Sequence, residues 1–390
     1  MKVNLMQDLL ISIIRSELTG TGLSEIEKHE ITPELIPDLY KLAKSQDAAH
    51  FLYPCFSSNG LLKLLDEDMT NALQDEEILA VYRYEQINYA FAQICTAFEK
   101  ENLAYMPLKG SVIRPFYPDE SMRTSCDIDI LVHEEDFEKA CACIEATGCR
   151  KGRLNYHDIS FFSAANIHIE LHFNICENID SLDAVLRRVW EYAEPDGGCR
   201  FKMKKEFFMY HILAHMAFHV SNGGCGIKPL MDLWVMDNKM DLKVSNAKKL
   251  LEEAGLYRFA CVMEEFSAVW FSGKEHTSQT LAVQEYIMSA GTYGTFENSV
   301  AIRQSKKGGS NLKFFLGRIF VPYSRLKATY PVLEKCPILF PVLEVARWFR
   351  IFRKNKFRTS VYELSLMRNV SDEKKNKIEK MLSDLGLNEI

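Results

Sequence analysis

Two aspartates in an alternating apolar run are the side chains of this sequence best placed to do chemistry. Asp127 and Asp129 lie in the run DIDILV, whose alternation predicts a β-strand over 127–132. Because alternate residues of a strand share a face, the two carboxylates project together. Neighbouring carboxylates repel each other unless a cation lies between them, and Mg²⁺ prefers such oxygen ligands. The pair therefore predicts a site for Mg²⁺ or Mn²⁺, the alternative being two solvated residues at a strand edge.

A third carboxylate lies on a later alternating run, IHIELHF, which predicts a strand over 167–173. Glu170 shares one face of this strand with His168 and His172, while the apolar residues take the other face. Together with the two aspartates, Glu170 would complete a site for two metal ions. The alternative role for Glu170 is a structural salt bridge.

The segment before the aspartates has the residue types that bind phosphate. Gly110 and Ser111 begin a short predicted helix that follows a strand. A glycine lets a phosphate approach the backbone, and the start of a helix offers free N–H groups. Lys109 and Arg123 could neutralise the charge of a triphosphate. Alternatively, Lys109 is a surface lysine and Arg123 pairs with one of the acids just before it.

The elements that must hold these side chains form a small α+β unit. The predicted strands are 103–106, 127–132, 159–163 and 167–173, and the predicted helices are 77–100 and 134–147. This order of helices and strands is typical of an α+β arrangement. The chain on both sides of the unit has mainly helical patterns. We therefore predict an α+β fold class, with a small mixed-sheet core embedded in mainly helical flanking regions.

A helix predicted over 205–220 carries three histidines. His211, His215 and His219 recur at intervals of four and therefore share one helix face. They would suit a polar core, a substrate pocket or a transition-metal site. No cysteine or carboxylate stands near them in a known zinc spacing.

A second helix, predicted over 228–237, carries Lys228 and Asp232 within an apolar stretch. Both would suit hydrogen bonds between helices. They would equally suit contacts with a substrate across a cleft, where Asp232 is a candidate general base.

The composition is that of an ordinary globular protein. The 390 residues are 47% hydrophobic and 26% charged, which excludes a wholly disordered, collagen-like or coiled-coil chain. The net charge of -6 does not favour nucleic-acid binding by the whole molecule. Eleven cysteines without a C-x-x-C pair predict reduced, mostly buried thiols. Because neither a signal peptide nor a transmembrane segment is predicted, we expect a cytoplasmic protein.

Residues 301–360 differ from the rest of the chain in charge. They hold 14 Lys and Arg and two Glu, so they carry +12 while the other 330 residues carry -18. Prolines interrupt this segment, and aromatic residues are mixed with its cations. It is either a solvated surface, a contact with an anionic partner such as RNA, or an attachment to a membrane surface. The last would make the protein membrane-peripheral.

Taken together, the motifs resemble the minimal nucleotidyltransferase core of the DNA polymerase beta superfamily. More narrowly, they resemble the bacterial uncharacterised nucleotidyltransferase family proteins. The residues that carry the resemblance are Lys109-Gly110-Ser111, Tyr117-Pro118, Arg123, Asp127 to Val132, Glu170-Leu171-His172, His211, His215, Gly224, Gly226, Asp232, Pro322-Tyr323 and Arg347 to Arg350. They extend over most of the chain after residue 80. Cys126 departs from the pattern, since a glycine often precedes the first aspartate.

The resemblance implies a metal-dependent nucleotidyltransferase. An acceptor hydroxyl or other nucleophile attacks the α-phosphorus of an NTP such as ATP, and pyrophosphate leaves. Asp127 and Asp129 would hold both metal ions, Mg²⁺ or Mn²⁺, and Glu170 would bind the ion that activates the acceptor. The residues implied in nucleotide binding are Lys109, Gly110, Ser111 and Arg123. Those implied in a substrate pocket are His172, His211, His215, Lys228 and Asp232.

The acceptor stays open among a small molecule, a glycan precursor, a protein and an RNA, and the oligomeric state stays open too. We predict an N-terminal helical region over 1–80, a nucleotidyltransferase core over 81–180, a helical domain over 181–300, and a basic, proline-interrupted helical region over 301–390. The alternative function is a non-catalytic nucleotide-binding or membrane-peripheral interaction protein that retains the fold. The presence of all three carboxylates favours the enzyme.

Overall fold

The computed structural model describes most of the chain. The described residues are 2–292, 294–306, 323, 326, 330, 332–353, 371–388 and 390. Nearly half of the basic segment 301–360 lies outside the described residues. The contact of this segment with an anionic partner or a membrane therefore stays a prediction.

The sheet predicted around the carboxylates has five strands. They are β1 (Tyr105–Pro107), β2 (Asp127–Val132), β3 (Arg150–Leu154), β4 (Asp158–Phe162) and β5 (His168–His172). Across the sheet their order is β1-β2-β5-β4-β3, with β2 and β5 parallel and the other neighbours antiparallel. A separate two-stranded sheet pairs β6 (Ala193–Pro195) with β7 (Phe201–Met203). The main sheet is therefore mixed, as the sequence predicts.

Helices make up most of the remaining described residues. In chain order they are α1 (Lys2–Thr19), α2 (Glu25–Glu30), α3 (Ile36–Ser45), α4 (Leu52–Ser58), α5 (Glu67–Lys100), α6 (Gly110–Ile113), α7 (Phe137–Ala146), α8 (Asp180–Leu186), α9 (Lys205–Val220), α10 (Lys228–Lys239), α11 (Lys248–Glu253), α12 (Tyr257–Ser272), α13 (Ser278–Ala290), α14 (Phe296–Lys306), α15 (Val332–Lys335), α16 (Phe340–Arg353) and α17 (Asp372–Leu385). The α+β class with helical flanks is confirmed.

The main sheet has an apolar face and a polar face because its two central strands alternate. Ile128 and Ile130 of β2, and Ile169 and Leu171 of β5, are fully buried in a core with α5 and α7. Burying each of these side chains stabilises the fold by about 1.5–3 kcal/mol. The alternate positions of the same strands carry the three carboxylates on the opposite face. The apolar core thus fixes the direction in which the carboxylates point.

A second and larger core joins the helices on the other side of the sheet. Its members include residues of α1, of α9 to α13, and of α17. Eleven of the sixteen residues of α9 are buried, so polar groups on this helix must find partners inside the protein. Among the described residues, no helix is long and apolar enough to cross a membrane.

The sequence pattern predicts the strands that carry candidate residues but misses β3, β6 and β7. β3 reads RKGRL and is exposed along its whole length. It lies at the edge of the sheet and pairs through its backbone with β4. Backbone pairing at an edge requires no apolar side chains, so no alternation marks this strand.

Candidate active site

Three carboxylates meet on the polar face of the main sheet. The parallel pairing of β2 and β5 puts Asp129 directly opposite Glu170, and Asp127 precedes Asp129 by two residues. Asp129 is buried, with a relative exposure of 6%, whereas Asp127 and Glu170 are partly exposed. Ser125 Oγ donates to Asp127 Oδ1 at 2.9 Å and fixes that side chain. The register thus brings together the three residues that the sequence predicts as metal ligands.

Cationic side chains lie against two of these carboxylates. His172 Nε2 is 3.0 Å from Oδ1 of Asp129 and 3.5 Å from Oε2 of Glu170. Lys109 Nζ is 3.3 Å from the same oxygen of Asp129. On the other side of Glu170, His168 Nδ1 lies 3.7 Å from Oε1. The charges of Lys109 and His172 offset part of the repulsion among the carboxylates.

The same contacts separate the pKa values of the two aspartates. Burial, and then the charge of Asp129, raises the pKa of Asp127. Burial would also raise the pKa of Asp129, but Lys109 and His172 hold that pKa well below its ordinary value. Burial would lower the pKa of His172, yet its hydrogen bonds to Asp129 and Glu170 raise it to about 9. At neutral pH the site therefore holds an ionised Asp129 and a protonated His172.

The donor set fits a divalent cation. Ligand atoms of Asp127, His168 and Glu170 lie within 4.8 Å of one another, and so do those of Asp129, Glu170 and His172. Glu170 belongs to both groups, so the two groups adjoin. Carboxylate oxygens are suitable ligands for Mg²⁺ or Mn²⁺. The imidazole nitrogens of His168 and His172 would also suit transition-metal ions.

The predicted phosphate-binding segment forms a tight turn beside the carboxylates. Lys109 has a φ of +43°, and α6 after it is a single helical turn whose amides donate to carbonyls of the same segment. A Cβ atom on Gly110 would lie 3.1 Å from the guanidinium of Arg123, so glycine leaves room for that side chain. Ser111 lines a different cavity, next to β7. Phosphate binding by this segment stays a prediction.

Arg123 forms an ion pair with Asp232 of α10. Its Nε and Nη2 donate to the two carboxylate oxygens of Asp232 at 3.1 and 2.8 Å. Tyr117 Oη donates to the same carboxylate at 2.7 Å. The alternative expected from the sequence was that Arg123 pairs with an acid just before it. In the structure Arg123 pairs instead with an acid on a distant helix. This contact fastens the segment before β2 to α10.

Lys228 is held in a similar way at the start of α10. Its Nζ donates to Asp47 Oδ2 at 2.9 Å, and Thr124 Oγ1 donates to the same oxygen at 2.8 Å. Neither Lys228 nor Asp232 belongs to the described lining of the cavity beside Glu170. In this structure both residues connect helices to the segment that leads into β2.

A cavity of about 460 Å³ opens between β5 and α9. Lys109, Glu170 and His172 line its sheet side. The loop after β5 contributes Glu177, and α9 contributes His211, His215 and His219. The volume falls within the range of pockets that bind small molecules. Three of the five predicted pocket residues, His172, His211 and His215, thus lie around one cavity with a predicted metal ligand.

The α9 side of the cavity holds a hydrogen-bonded chain. His215 Nδ1 lies 2.7 Å from Glu177 Oε1, and His215 Nε2 lies 3.1 Å from His219 Nε2. His211 is buried, and its Nδ1 has no hydrogen-bond partner among the described residues. Burial lowers the pKa of all three histidines, and lowers that of His219 to about 3. At neutral pH these side chains are therefore uncharged imidazoles.

Sequence reasoning missed two of the cavity residues. Glu177 lies in the irregular loop after β5, where no periodicity marks it. His157 stacks on His172 with ring centroids 5.5 Å apart, although it precedes β4 in the chain. His219 was singled out by its four-residue spacing from His215 on a helix face, but it was not among the predicted pocket residues. His157 and His172 come together because β4 pairs with β5, and no sequence motif reveals that pairing.

A mixed sheet whose parallel central strands carry three carboxylates, one of which lines a cavity, fits a core of the nucleotidyltransferase class. A family model described as "Uncharacterised nucleotidyltransferase" matches residues 32–272 of the chain. The chain belongs to this family, so the resemblance to uncharacterised nucleotidyltransferases is confirmed. The match begins well before the motifs do, and it ends before the basic segment. No curated protein and no solved structure is significantly similar to the chain.

Proposed function

We propose that the protein transfers a nucleoside monophosphate from an NTP to an acceptor. An oxygen or other nucleophilic atom of the acceptor forms a bond to the α-phosphorus, and the bond from that phosphorus to pyrophosphate breaks. The acceptor gives up one proton, and pyrophosphate is released. Membership of a nucleotidyltransferase family supports the reaction class.

The observation that carries this proposal is the register of β2 and β5. It pairs Asp129 with Glu170 and keeps Asp127 on the same face of the sheet. Three carboxylates so close together need a cation to offset their repulsion. The neighbouring cavity offers room for a substrate beside Glu170. A protein that only bound nucleotides would have no evident need for all three carboxylates.

Asp127, Asp129 and Glu170 would hold the divalent cation, Mg²⁺ or Mn²⁺. When bound, it would supply positive charge at the reacting phosphate and at the acceptor oxygen. The donor chemistry of these residues fits that role, and two adjoining ligand groups that share Glu170 are compatible with two ions.

The remaining residues of the site have roles that follow from their charge. Lys109 and His172 are cationic and lie against Asp129. A triphosphate that arrives beside them would meet two positive groups already ordered by the carboxylates, so little reorganisation is needed. Most of the catalysis in such reactions is positioning and charge neutralisation. We assign Lys109 to the nucleotide and His172 to the support of Asp129 and Glu170.

Pyrophosphate release tests this function. Purified protein would be given each of the four NTPs with Mg²⁺ or Mn²⁺ and a small-molecule extract of the source cells. Wild type should release pyrophosphate, and Glu170→Gln should not. Glu135→Gln is the matched control, because Glu135 is an exposed acid just beyond β2. Equal release by wild type and Glu170→Gln would contradict the proposal.

A further inference from the structure

The cavity beside Glu170 contains a chain of three side chains joined by hydrogen bonds. Glu177 Oε1 lies 2.7 Å from His215 Nδ1, and His215 Nε2 lies 3.1 Å from His219 Nε2. Glu177 is itself fixed, since its backbone N–H donates to Asp183 Oδ1 at 2.7 Å. All three members line the cavity. His219 ends the chain, because the bond to His215 is the only hydrogen bond that its ring makes among the described residues.

The geometry allows two proton arrangements in this chain. Only one proton fits between the two facing Nε2 atoms. In the first arrangement His219 Nε2–H donates to His215, and His215 Nδ1–H donates to the Glu177 carboxylate, which leaves His219 Nδ1 unprotonated. In the second, His219 Nδ1 carries a new proton, His215 Nε2–H donates to His219, and a protonated Glu177 donates to His215. The second state holds one proton more than the first.

Neither arrangement needs a charged imidazole. Burial lowers the pKa of His215 and His219, which disfavours imidazolium at both positions. Burial raises the pKa of Glu177, which favours the carboxylic acid of the second arrangement. The other titratable groups that act on the chain are Lys109, Asp129, His157 and His172, with His211 on the same helix. A proton accepted at His219 would therefore be stored on Glu177.

We propose that this cavity is the acceptor site and that His219 takes the proton of the acceptor hydroxyl, which passes through His215 to Glu177. This inference rests on the proposed nucleotidyl transfer. It adds the path that the proton of the acceptor hydroxyl takes in that reaction. As the acceptor oxygen bonds to the α-phosphorus and pyrophosphate leaves, the hydroxyl proton moves to His219 Nδ1. His219 is the catalytic residue of the chain, and His215 and Glu177 are positioning residues. The proton returns to solvent after the product leaves.

The lining of the cavity also indicates the class of acceptor. The α9 side presents uncharged imidazoles together with Phe218 and Asn222, and the loop after β5 adds Ile175 and Asn178. On the sheet side, the cations Lys109 and His172 are engaged by Asp129. Apolar surface with scattered uncharged hydrogen-bonding groups suits an uncharged, hydroxyl-bearing small molecule such as a sugar or polyol. A polyanion such as RNA would need further cations, and the described lining holds none besides Lys109 and His172, which the proposed function assigns to the nucleotide and to the carboxylates.

The kinetics of wild type and His219→Gln test the relay. Pyrophosphate release would be measured across a range of pH with neutral monosaccharides and polyols, or with a short RNA, as acceptors. His219→Gln should lower kcat by about 10²–10⁴-fold, as expected for loss of a general base. NTP affinity should stay unchanged, and the acid limb of the pH–rate profile should disappear.

Imidazole added to His219→Ala should restore part of the rate. His276→Gln is the control, because His276 bonds Thr280 away from this cavity.

Each outcome separates the relay from the function on which it rests. An active wild type matched by His219→Gln in rate and pH profile would overturn the relay alone. Stimulation by RNA and not by neutral hydroxyl compounds would overturn the acceptor class. A wild type that releases no pyrophosphate with any acceptor or NTP would overturn the proposed function and the relay with it. If His219→Gln fails to fold, Glu177→Gln provides the same comparison, with a smaller expected loss.

Discussion

Asp129 on β2 and Glu170 on β5 are direct neighbours across a parallel pair of strands. His172 Nε2 lies within reach of both carboxylates, at 3.0 and 3.5 Å. The two acids come from runs 41 residues apart in the sequence, and a shift of one residue in their pairing would turn one of them into the apolar core. The burial of Ile128, Ile130 and Ile169 prevents such a shift.

Replacing Asp129 by Asn should abolish transfer without unfolding the protein. The amide keeps the shape of the side chain but removes the charge that would hold the metal ion. We expect a loss of activity of at least about 10²-fold, since even outer ligand partners can cost that much. Circular dichroism and pyrophosphate release would be measured on the same sample. Full turnover by purified Asp129→Asn would rule out a catalytic role for this carboxylate.

Added Mg²⁺ or Mn²⁺ should stabilise the folded protein through the same three carboxylates. An ion that binds only the native state raises the free energy of unfolding by about 2.7 kcal/mol at a hundredfold excess over Kd. Thermal unfolding with and without metal would measure this shift, and a chelator should reverse it. Glu170→Gln should reduce the shift while Glu135→Gln keeps it. An equal shift in all three proteins would place the ion elsewhere.

Breaking the Arg123–Asp232 pair should be strongly destabilising. The two side chains are 11% and 5% exposed, so Arg123→Ala leaves a buried charge without its partner. Such a change costs about 3–5 kcal/mol in the free energy of unfolding. Arg188→Ala is the control, because its pair with Glu253 is partly exposed, at 31% and 47%, and such a pair contributes about 0–1 kcal/mol. Equal effects of the two substitutions in urea denaturation would contradict the structural role of Arg123.

Ser111→Ala tests the predicted phosphate site. The sequence predicts that the Ser111 hydroxyl donates to the nucleotide, and losing one hydrogen bond should weaken NTP binding by about 1 kcal/mol. The structure puts Ser111 on the wall of a different cavity from Glu170. Calorimetric titration with a non-hydrolysable NTP would measure the affinity. An unchanged affinity would remove Ser111 from the nucleotide site.

Acidification should destabilise the protein through its buried histidines. Burial lowers the pKa of His219 from 6.5 to about 3. Below pH 6.5 the unfolded chain binds a proton at His219 and the folded protein does not, so the free energy of unfolding falls as the pH falls. The slope for one such group is up to about 1.4 kcal/mol per pH unit. Because His219→Gln lacks this titrating group, wild type should lose stability relative to the variant as the pH falls from about 6.5 toward about 3. Parallel urea curves that keep a constant difference would show that His219 titrates normally.

Local patterns were sufficient to predict the strands that carry chemistry. The alternation in β2 and β5 reflects one buried face and one polar face, and it identified Asp127, Asp129 and Glu170 together. The four-residue spacing of His211 and His215 likewise reflects one face of α9. Each of these features is a periodicity within one strand or one helix, so the sequence of that element alone is enough to reveal it.

Contacts between distant elements could not be predicted in this way. Arg123 pairs with Asp232 across 109 residues, and Glu177 bonds His215 across 38 residues. Each pairing depends on how α9 and α10 pack on the sheet, and no local period encodes that packing. Edge strand β3 was missed for a different reason. Its side chains are all exposed, so they carry no periodic signal.

Transfer of label from an NTP tests the central claim most directly. Protein would be incubated with each α-³²P-labelled NTP and Mg²⁺ or Mn²⁺, with and without a lysate of the source cells, as wild type and as Asp127→Asn. We predict that label moves to an acceptor with wild type only, and that the size and the protease or nuclease sensitivity of the labelled species give the acceptor class. Label that appears equally with Asp127→Asn, or no label with wild type under any condition, would contradict nucleotidyl transfer at this site.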